Sequence, residues 1–277
     1  MELLEKLINT FSVSANEKKT KEVIKESLKG AKCEIYEDNI GNLIARKSGN
    51  GIKIGVFAPL DLAGGVVTYK DKEKIRFVSV GDINEAKFIN MTAVFENGKK
   101  GFIYCEDINN LSFDNMYIDA CGLDDIEIGD AFLLKGEIFS DEEKIIAVGA
   151  GDKALLYSLI EALKEDNKND ITAVFATRSR VGFKGAVAAA EKMDFDLCIC
   201  LGESENSLAD GVLLTVKGKN MISDEIAVSL IEGLLKEEKI SFKREVNMNT
   251  SSCAGLVKKA DISEDKYDIT YVSSLFY

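Results

Sequence analysis

The sequence predicts an α/β fold, a mixed sheet flanked by helices, with a small β-barrel inserted into it. Three observations carry this expectation. Two stretches with apolar residues at helical spacing open the chain, and helices alternate with strands after Gly151. Between them, from about residue 65 to residue 146, comes a run of short strand patterns without a convincing helix. The division read from this is a discontinuous α/β domain of residues 1–64 and 147–277 around a barrel domain of residues 65–146.

Taken in order, residues 2–11 and 16–29 predict two helices, the second capped by Ser14 or Asn16. KCEIYED, GNLIARKS and IKIGVFA follow as strands, with turn signals at Asn42 and at Gly49, Asn50 and Gly51. The inserted run reads GGVVTYK, KIRFVSV, MTAVFEN, KGFIYCE, AFLLKGEIF and KIIAVGA. After Gly151 come the helix DKALLYSLIEALKE, a strand at 171–177, the helix GAVAAAEKM and the strands DLCICLG and GVLLTVKG. The helix SDEIAVSLIEGLLKEEK and the strand SFKREVNM complete the series. Such alternation implies a sheet covered on both faces. The single proline, Pro59, ends the strand IGVFA and opens PLDLAGG.

Composition removes several function classes. The net charge of -12 and the absence of a basic block argue against a nucleic-acid partner. No apolar run approaches the roughly 20 residues that cross a bilayer, and the acidic MELLEKLINTF carries no signal-peptide pattern, so a cytoplasmic protein without membrane contact is expected. Six cysteines stand without C-x-x-C pairs and are read as reduced thiols; Cys198 and Cys200 share one face of a strand, where they cannot easily close a disulfide. There is no histidine. Ser-His and Cys-His mechanisms are thereby excluded, along with most transition-metal sites.

Ligands of α/β sheets gather beyond the carboxyl ends of the strands. There the sequence reads APLDLAGG, GAGDKA, TRSRVGFKGA, CLGES and YVSS. In that order the segments resemble the deblocking or glutamyl aminopeptidase family of dinuclear metallopeptidases, peptidase family M42. The resemblance covers nearly the whole chain and extends to the opening helices, to DNIGNLIARKSGNGIKIGVFAPLD, to the barrel segment YIDACGLDDIEIGDAFLL and to ITAVFATRSRVGFKGAVAAA. It implies a zinc-aminopeptidase-like fold, two divalent ions (zinc or cobalt) and assembly into tetrahedral particles.

The motif positions of that family are altered here. Its His-x-Asp aligns with Pro59 and Asp61, and its bridging aspartate with Gly151, followed by Asp152 and Lys153. Its general base and the next metal ligand align with Ser179 and Arg180. A further metal-binding aspartate aligns with Gly202, beside Glu203, and the terminal histidine with Ser273. What the resemblance implies is a chain whose catalytic set is not intact and which holds no metal or other cofactor. The consequence is large, because a catalytic metal lowers the pKa of its bound water from about 16 to about 7, and a general base contributes about 10²- to 10⁴-fold besides.

Arg180 is expected to supply fixed positive charge to Asp61, Asp152 and Glu203, with its Nη atoms within hydrogen-bonding reach of at least one of them. Arg178 and Arg180 have two readings, an anion-binding cleft and structural ion pairs. Asp61 likewise either steers a ligand or caps the turn before Gly64 and Gly65. Cys253, at an acid position of the family, lacks a histidine partner and is read as unreactive. GAGDKA lacks the Walker spacing, and LDDIEIGD lacks the EF-hand spacing and is read as a solvated barrel loop. The leading expectation is a non-catalytic homologue acting as a binding or assembly protein, as a homo-oligomer or in a mixed oligomer with an active relative. Two alternatives stand beside it: an active hydrolase, and a binder of a peptide or small acidic ligand through Asp61, Asp152, Lys153, Arg178, Arg180 and Glu203. Relative to the family pattern the chain lacks a last helix after YVSSLFY, which is expected to uncover apolar surface on the main sheet.

Overall fold

The computed structural model describes residues 2–140, 145–204, 211–219 and 221–247, and the backbone of 270–274. Helices α1 (Glu2–Asn9) and α2 (Lys18–Ser27) lead into strands β1 (Glu34–Glu37), β2 (Leu43–Lys47) and β3 (Lys53–Pro59). Ser14 and Asn16 do not cap α2: its N-cap is Glu17, whose side chain makes no capping bond. The hydroxyl of Ser14 turns to Asp61, and the Glu17 carboxylate turns inward to Thr177. Tertiary partners have overridden the local capping signal.

Strands β4 (Gly64–Lys70), β5 (Lys74–Val80), β6 (Thr92–Phe95), β7 (Lys100–Cys105), β8 (Met116–Asp119) and β9 (Ala131–Lys135) close into a barrel in the order β4-β5-β8-β7-β6-β9. Alternate residues point inward, and Phe77 stands edge-on to Phe132, centroids 5.1 Å apart, within a core that also holds Phe88, Phe95, Ile103 and Ile118. LDDIEIGD is a loop of this barrel: Asp124, Asp125 and Glu127 are exposed while Leu123 and Ile126 insert into the core. AFLLKGEIF is not one strand. It breaks after Lys135 and resumes as β10 (Phe139–Ser140), which pairs with β11 (Ile145–Ile146) in a separate ribbon.

The chain then enters α3 (Ala150–Lys164), β12 (Asp170–Ala176), α4 (Lys184–Lys192), β13 (Leu197–Leu201), β14 (Val212–Gly218), α5 (Glu225–Glu237), β15 (Phe242–Asn247) and β16 (Thr270–Ser274). One mixed eight-stranded sheet results, in the order β1-β2-β12-β3-β13-β16-β14-β15. Its central strands explain their own sequence. In β12, Ala173 and Phe175 face a core built with α1, α2 and α3, whereas Val174 and Ala176 face α4. Cys198 and Cys200 both pack toward the α4 side. Among the described residues no helix is long and apolar enough to cross a membrane.

Strands β12 and β3 run parallel, with Ala176 opposite Pro59, and β3 is also parallel to β13. Their carboxyl ends therefore open at one edge of the sheet. β16 runs parallel to β13, so the backbone of Ser273 reaches the same edge.

Candidate functional site

The site is built where β3 and β12 leave the sheet. The peptide N–H of Leu60 still donates to the Ala176 carbonyl (2.9 Å), and that of Leu62 donates to Ser12 (2.7 Å). These bonds hold the 60–62 segment extended and deliver Asp61, with no exposed surface, beneath the loop after β12. One Asp61 oxygen accepts from the Ser179 N–H and the other from the Arg180 N–H, each at 2.9 Å. The Ser14 hydroxyl donates to the second oxygen as well. Asp61 thus ties down the short 3-10 turn Ser179–Val181, not the turn before Gly64 and Gly65.

The same loop is anchored from the other side by Glu17, whose Oε1 accepts from the Ala15 N–H (2.9 Å), the Thr177 hydroxyl (2.8 Å) and the Arg178 N–H (3.0 Å). Three successive peptide N–H groups, from Arg178 to Arg180, therefore end on buried carboxylates. The backbone needs such anchors, because Arg178 (φ 53°) and Phe183 (φ 55°) both lie in the left-handed region that side chains disfavour. Asn42, fully buried, accepts from the Thr177 N–H (3.0 Å) and donates to the Gly185 carbonyl (2.9 Å) and to Asp38 (2.7 Å). A Cβ at Gly185 would fall 2.2 Å from Asn42 Oδ1, so only glycine permits α4 to start this close to β2.

Arg180 reaches across to α3, where its Nη2 donates to Asp152 Oδ2. Behind Asp152, the fully buried Lys153 donates from Nζ to the Leu60 carbonyl (3.0 Å). Glu203, just past β13, sets its carboxyl against the first turn of α3: it accepts from the Asp152 N–H, and a Cβ at Gly151 would come within 1.9 Å of its Oε1. The positions Pro59, Gly151, Ser179, Arg180 and Gly202 thus gather with Asp61, Asp152, Lys153 and Glu203 at the carboxyl edge of the sheet, the place where α/β folds form their crevice. Arg178 is the exception. Its side chain is exposed and makes no ion pair with any described residue, whereas Arg180 is paired with Asp152. Cys253 lies outside the described residues.

The profile of the M42 glutamyl aminopeptidase family matches residues 41–264 of this sequence. The chain belongs to that family. A putative aminopeptidase of Acetivibrio thermocellus is 31% identical over 269 residues, spanning 88% of this chain and 82% of that protein. Among solved structures, a TET aminopeptidase from a marine-sediment Thaumarchaeota archaeon superposes with a TM-score of 0.87 at 17% identity, over 99% of this chain and 88% of that one. The Pyrococcus horikoshii TET1 peptidase, which can assemble into a tetrahedron or a large octahedral shell, gives 0.84 at 20% identity, over 98% and 89%. These two likenesses establish that the chain has the fold of the TET peptidases.

In this family member the crevice holds four acids, Glu17, Asp61, Asp152 and Glu203, against the cations Arg180 and Lys153. Burial lowers the Lys153 ammonium to about 8, with Asp152 and Asp61 pulling it back up. Burial pushes the Asp152 carboxyl up and Arg180 draws it down, whereas the acids around Arg180 outweigh burial and push the guanidinium further up. The pair is charged, since a guanidinium does not deprotonate near neutral pH and a neutral Asp152 would leave it without its counter-ion. Glu203 is pushed up to about 7 by the enclosure of its carboxyl and by the nearby Asp152. The oxygens of the type a metal takes are those of these four acids, and among the described residues no group of three or more His, Cys, Asp or Glu converges as a metal site requires. Sequence reading passed over Glu17 and the inward role of Asn42. The available signal was Ser-Ala-Asn-Glu ahead of α2, which local rules read as capping.

Proposed function

We propose that this member of the glutamyl aminopeptidase family is a non-hydrolytic, metal-free protein of the cytoplasm that acts by binding or assembly. One observation carries the reading: the Arg180 guanidinium is hydrogen-bonded to Asp152 at the position where the resemblance aligns a metal ligand. The remaining donors do not fit a pair of divalent cations. Both Asp61 oxygens are engaged by peptide N–H groups, and a cation beside Asp152 would lie against Arg180 and Lys153, a like-charge contact in a poorly solvated place. No hydrolytic step is therefore assigned to this crevice.

The oligomers of the TET peptidases support a homo-oligomeric assembly for this chain, and a mixed particle with an active relative is part of the same reading. Exposed Arg178 and half-buried Arg180 support an acidic ligand at the crevice mouth less strongly, because Arg180 is already paired. A second reading, aminopeptidase activity, is favoured by the identity shared with the Acetivibrio relative. The two are separated by purifying the chain with added Zn²⁺ or Co²⁺, counting bound metal by mass spectrometry and assaying aminoacyl-anilide cleavage. The expected outcome is far less than one ion per chain and no turnover above buffer. Stoichiometric metal accompanied by turnover overturns the proposal in favour of the hydrolase.

A further inference from the structure

Between the opening helices and the barrel runs a cleft whose lining includes none of the charged residues of the crevice. Its larger part, about 800 Å³, lies between Ile8, Phe11 and Val23 on one side and Val94, Leu133 and Val148 on the other. A smaller part of about 350 Å³ continues it, the two sharing Phe11, Phe95 and Glu96. Pockets that enclose small ligands have volumes of roughly 300–1,000 Å³. The apolar floor is not a by-product of barrel packing. In β9 the inward residues are Phe132 and Leu134, while Leu133 points outward, paired with Val94 of β6. A strand face turned to water is expected to be polar, and this one is aliphatic.

The two ends of the cleft carry opposite charge. Glu96 and Asp130 line the smaller part, and among the described residues no lysine or arginine lines it with them. Lys19 pairs with Glu96 (3.7 Å), whereas Asp130, which accepts from the Glu127 N–H (2.9 Å), makes no ion pair with any described residue. At the far end Lys135 donates to the Asn9 amide oxygen (3.0 Å), and Lys6 stands one turn of α1 before Asn9. Neither lysine is in an ion pair with any described residue, and Glu26, which feels the charge of Lys6, is already paired with Lys29. Glu22, the remaining acid of the lining, lies one turn from Lys19 on α2. Asp130 and Lys135 flank β9, so about 17 Å separates them at roughly 3.4 Å per residue.

We propose that this cleft is a second ligand site, and that it takes a short apolar peptide free at both ends. The peptide's ammonium lies toward Asp130 and its carboxylate toward Lys6 and Lys135, with apolar side chains on Val94 and Leu133. An extended chain of about five residues spans that distance. Charge selects the occupant: a fatty anion would satisfy the lysines and leave its tail against Asp130, and a fatty amine would do the reverse. The site stands on the cleft's own residues and holds whether or not peptides are cleaved in the crevice.

The test titrates the pentapeptide ALVLA into the full chain by calorimetry, with a chelator present so that no metal-dependent cleavage enters. Binding is expected with a Kd below about 1 mM, weakened at least about five-fold when the peptide's carboxylate is amidated or its amine acetylated. Lys135→Glu is expected to weaken the free peptide at least about five-fold and the amidated one less than about two-fold; Asp130→Lys does the same with the acetylated one. Val148→Trp, at an exposed position on the cleft wall, weakens all three. Absence of binding at about 1 mM overturns the proposal, as does a peptide whose affinity is indifferent to its end groups. Binding that none of the variants alters also overturns it, because the peptide would then sit elsewhere. Decanoate or decylamine binding as tightly as the peptide overturns the choice of a doubly charged ligand. Blocking the ends needs no variant, so the test stands even where a substitution unfolds the chain. None of these variants touches the crevice, so failure here leaves the metal and turnover test untouched.

Discussion

At the scale of single residues, the proposed replacement of a metal's charge by fixed side chains has a measurable consequence at Glu203. Its carboxyl, raised to about 7, takes up a proton in the folded protein over a range in which the unfolded chain has already released it. A raised carboxyl makes the native state the stronger proton binder between its two values, so this group's contribution to stability falls as pH rises from about 4.5 to about 7. The expected result is a thermal midpoint that declines across that window, with a slope made shallower by Glu203→Gln. Allowing for the exposure of the residue as a whole, the effect is on the order of 1 kcal/mol or less. Identical slopes in the two proteins would remove Glu203 from the account. The general acidity of the chain adds a slope of the same sign, which is why the comparison with the variant decides the matter. The sequence made the neighbours of Arg180 legible only through a resemblance that aligned five separated segments. Nothing in local pattern could place Glu17, whose partner Thr177 lies 160 residues away.

Regular elements were more legible, because burial writes its period into each strand and helix. The alternation in β12 and the apolar spacing of α3 are consequences of which face each touches. Short or interrupted elements escaped. β8 is four residues long between Asn115 and Ala120, and β9 parts from β10 at Gly136, where the chain leaves the barrel. The loop after β12 resists a local reading altogether, since its left-handed residues are stabilised from elsewhere. That dependence is open to test. Glu17→Ala removes an acceptor shared by three donors, leaving the Thr177 hydroxyl and the Arg178 N–H buried without it. A loss of about 2–4 kcal/mol is expected in denaturant titration, together with faster amide exchange at Arg178 to Arg180. A loss within about 0.5 kcal/mol would mean that Asp61 alone holds the turn.

For the molecule as a whole, the barrel and the main sheet keep separate cores: the cluster of Phe77, Phe95 and Phe132 includes no residue from the helices or strands of the sheet. We propose on this ground that residues 65–146 form an inserted domain. The chain enters the barrel at Gly64 and returns before α3, and these two passages meet, because a Cβ on Gly149 would come 2.8 Å from the Leu62 side chain. A short linker can therefore bridge the gap left by the barrel. Replacing the insert with a few glycines and serines is expected to leave a cooperatively unfolding protein, somewhat less stable through loss of the bonds from Lys19 to Glu96 and from Lys135 to Asn9. These are exposed polar contacts, each worth about 1 kcal/mol or less, whereas the Asp61 and Glu17 anchors lie wholly within the main sheet's own segments. Far-ultraviolet circular dichroism and a denaturant titration decide the outcome. A collapsed, non-cooperative product would show that the two cores fold as one unit, and that the crevice owes its shape to the barrel as much as to the strands that open into it.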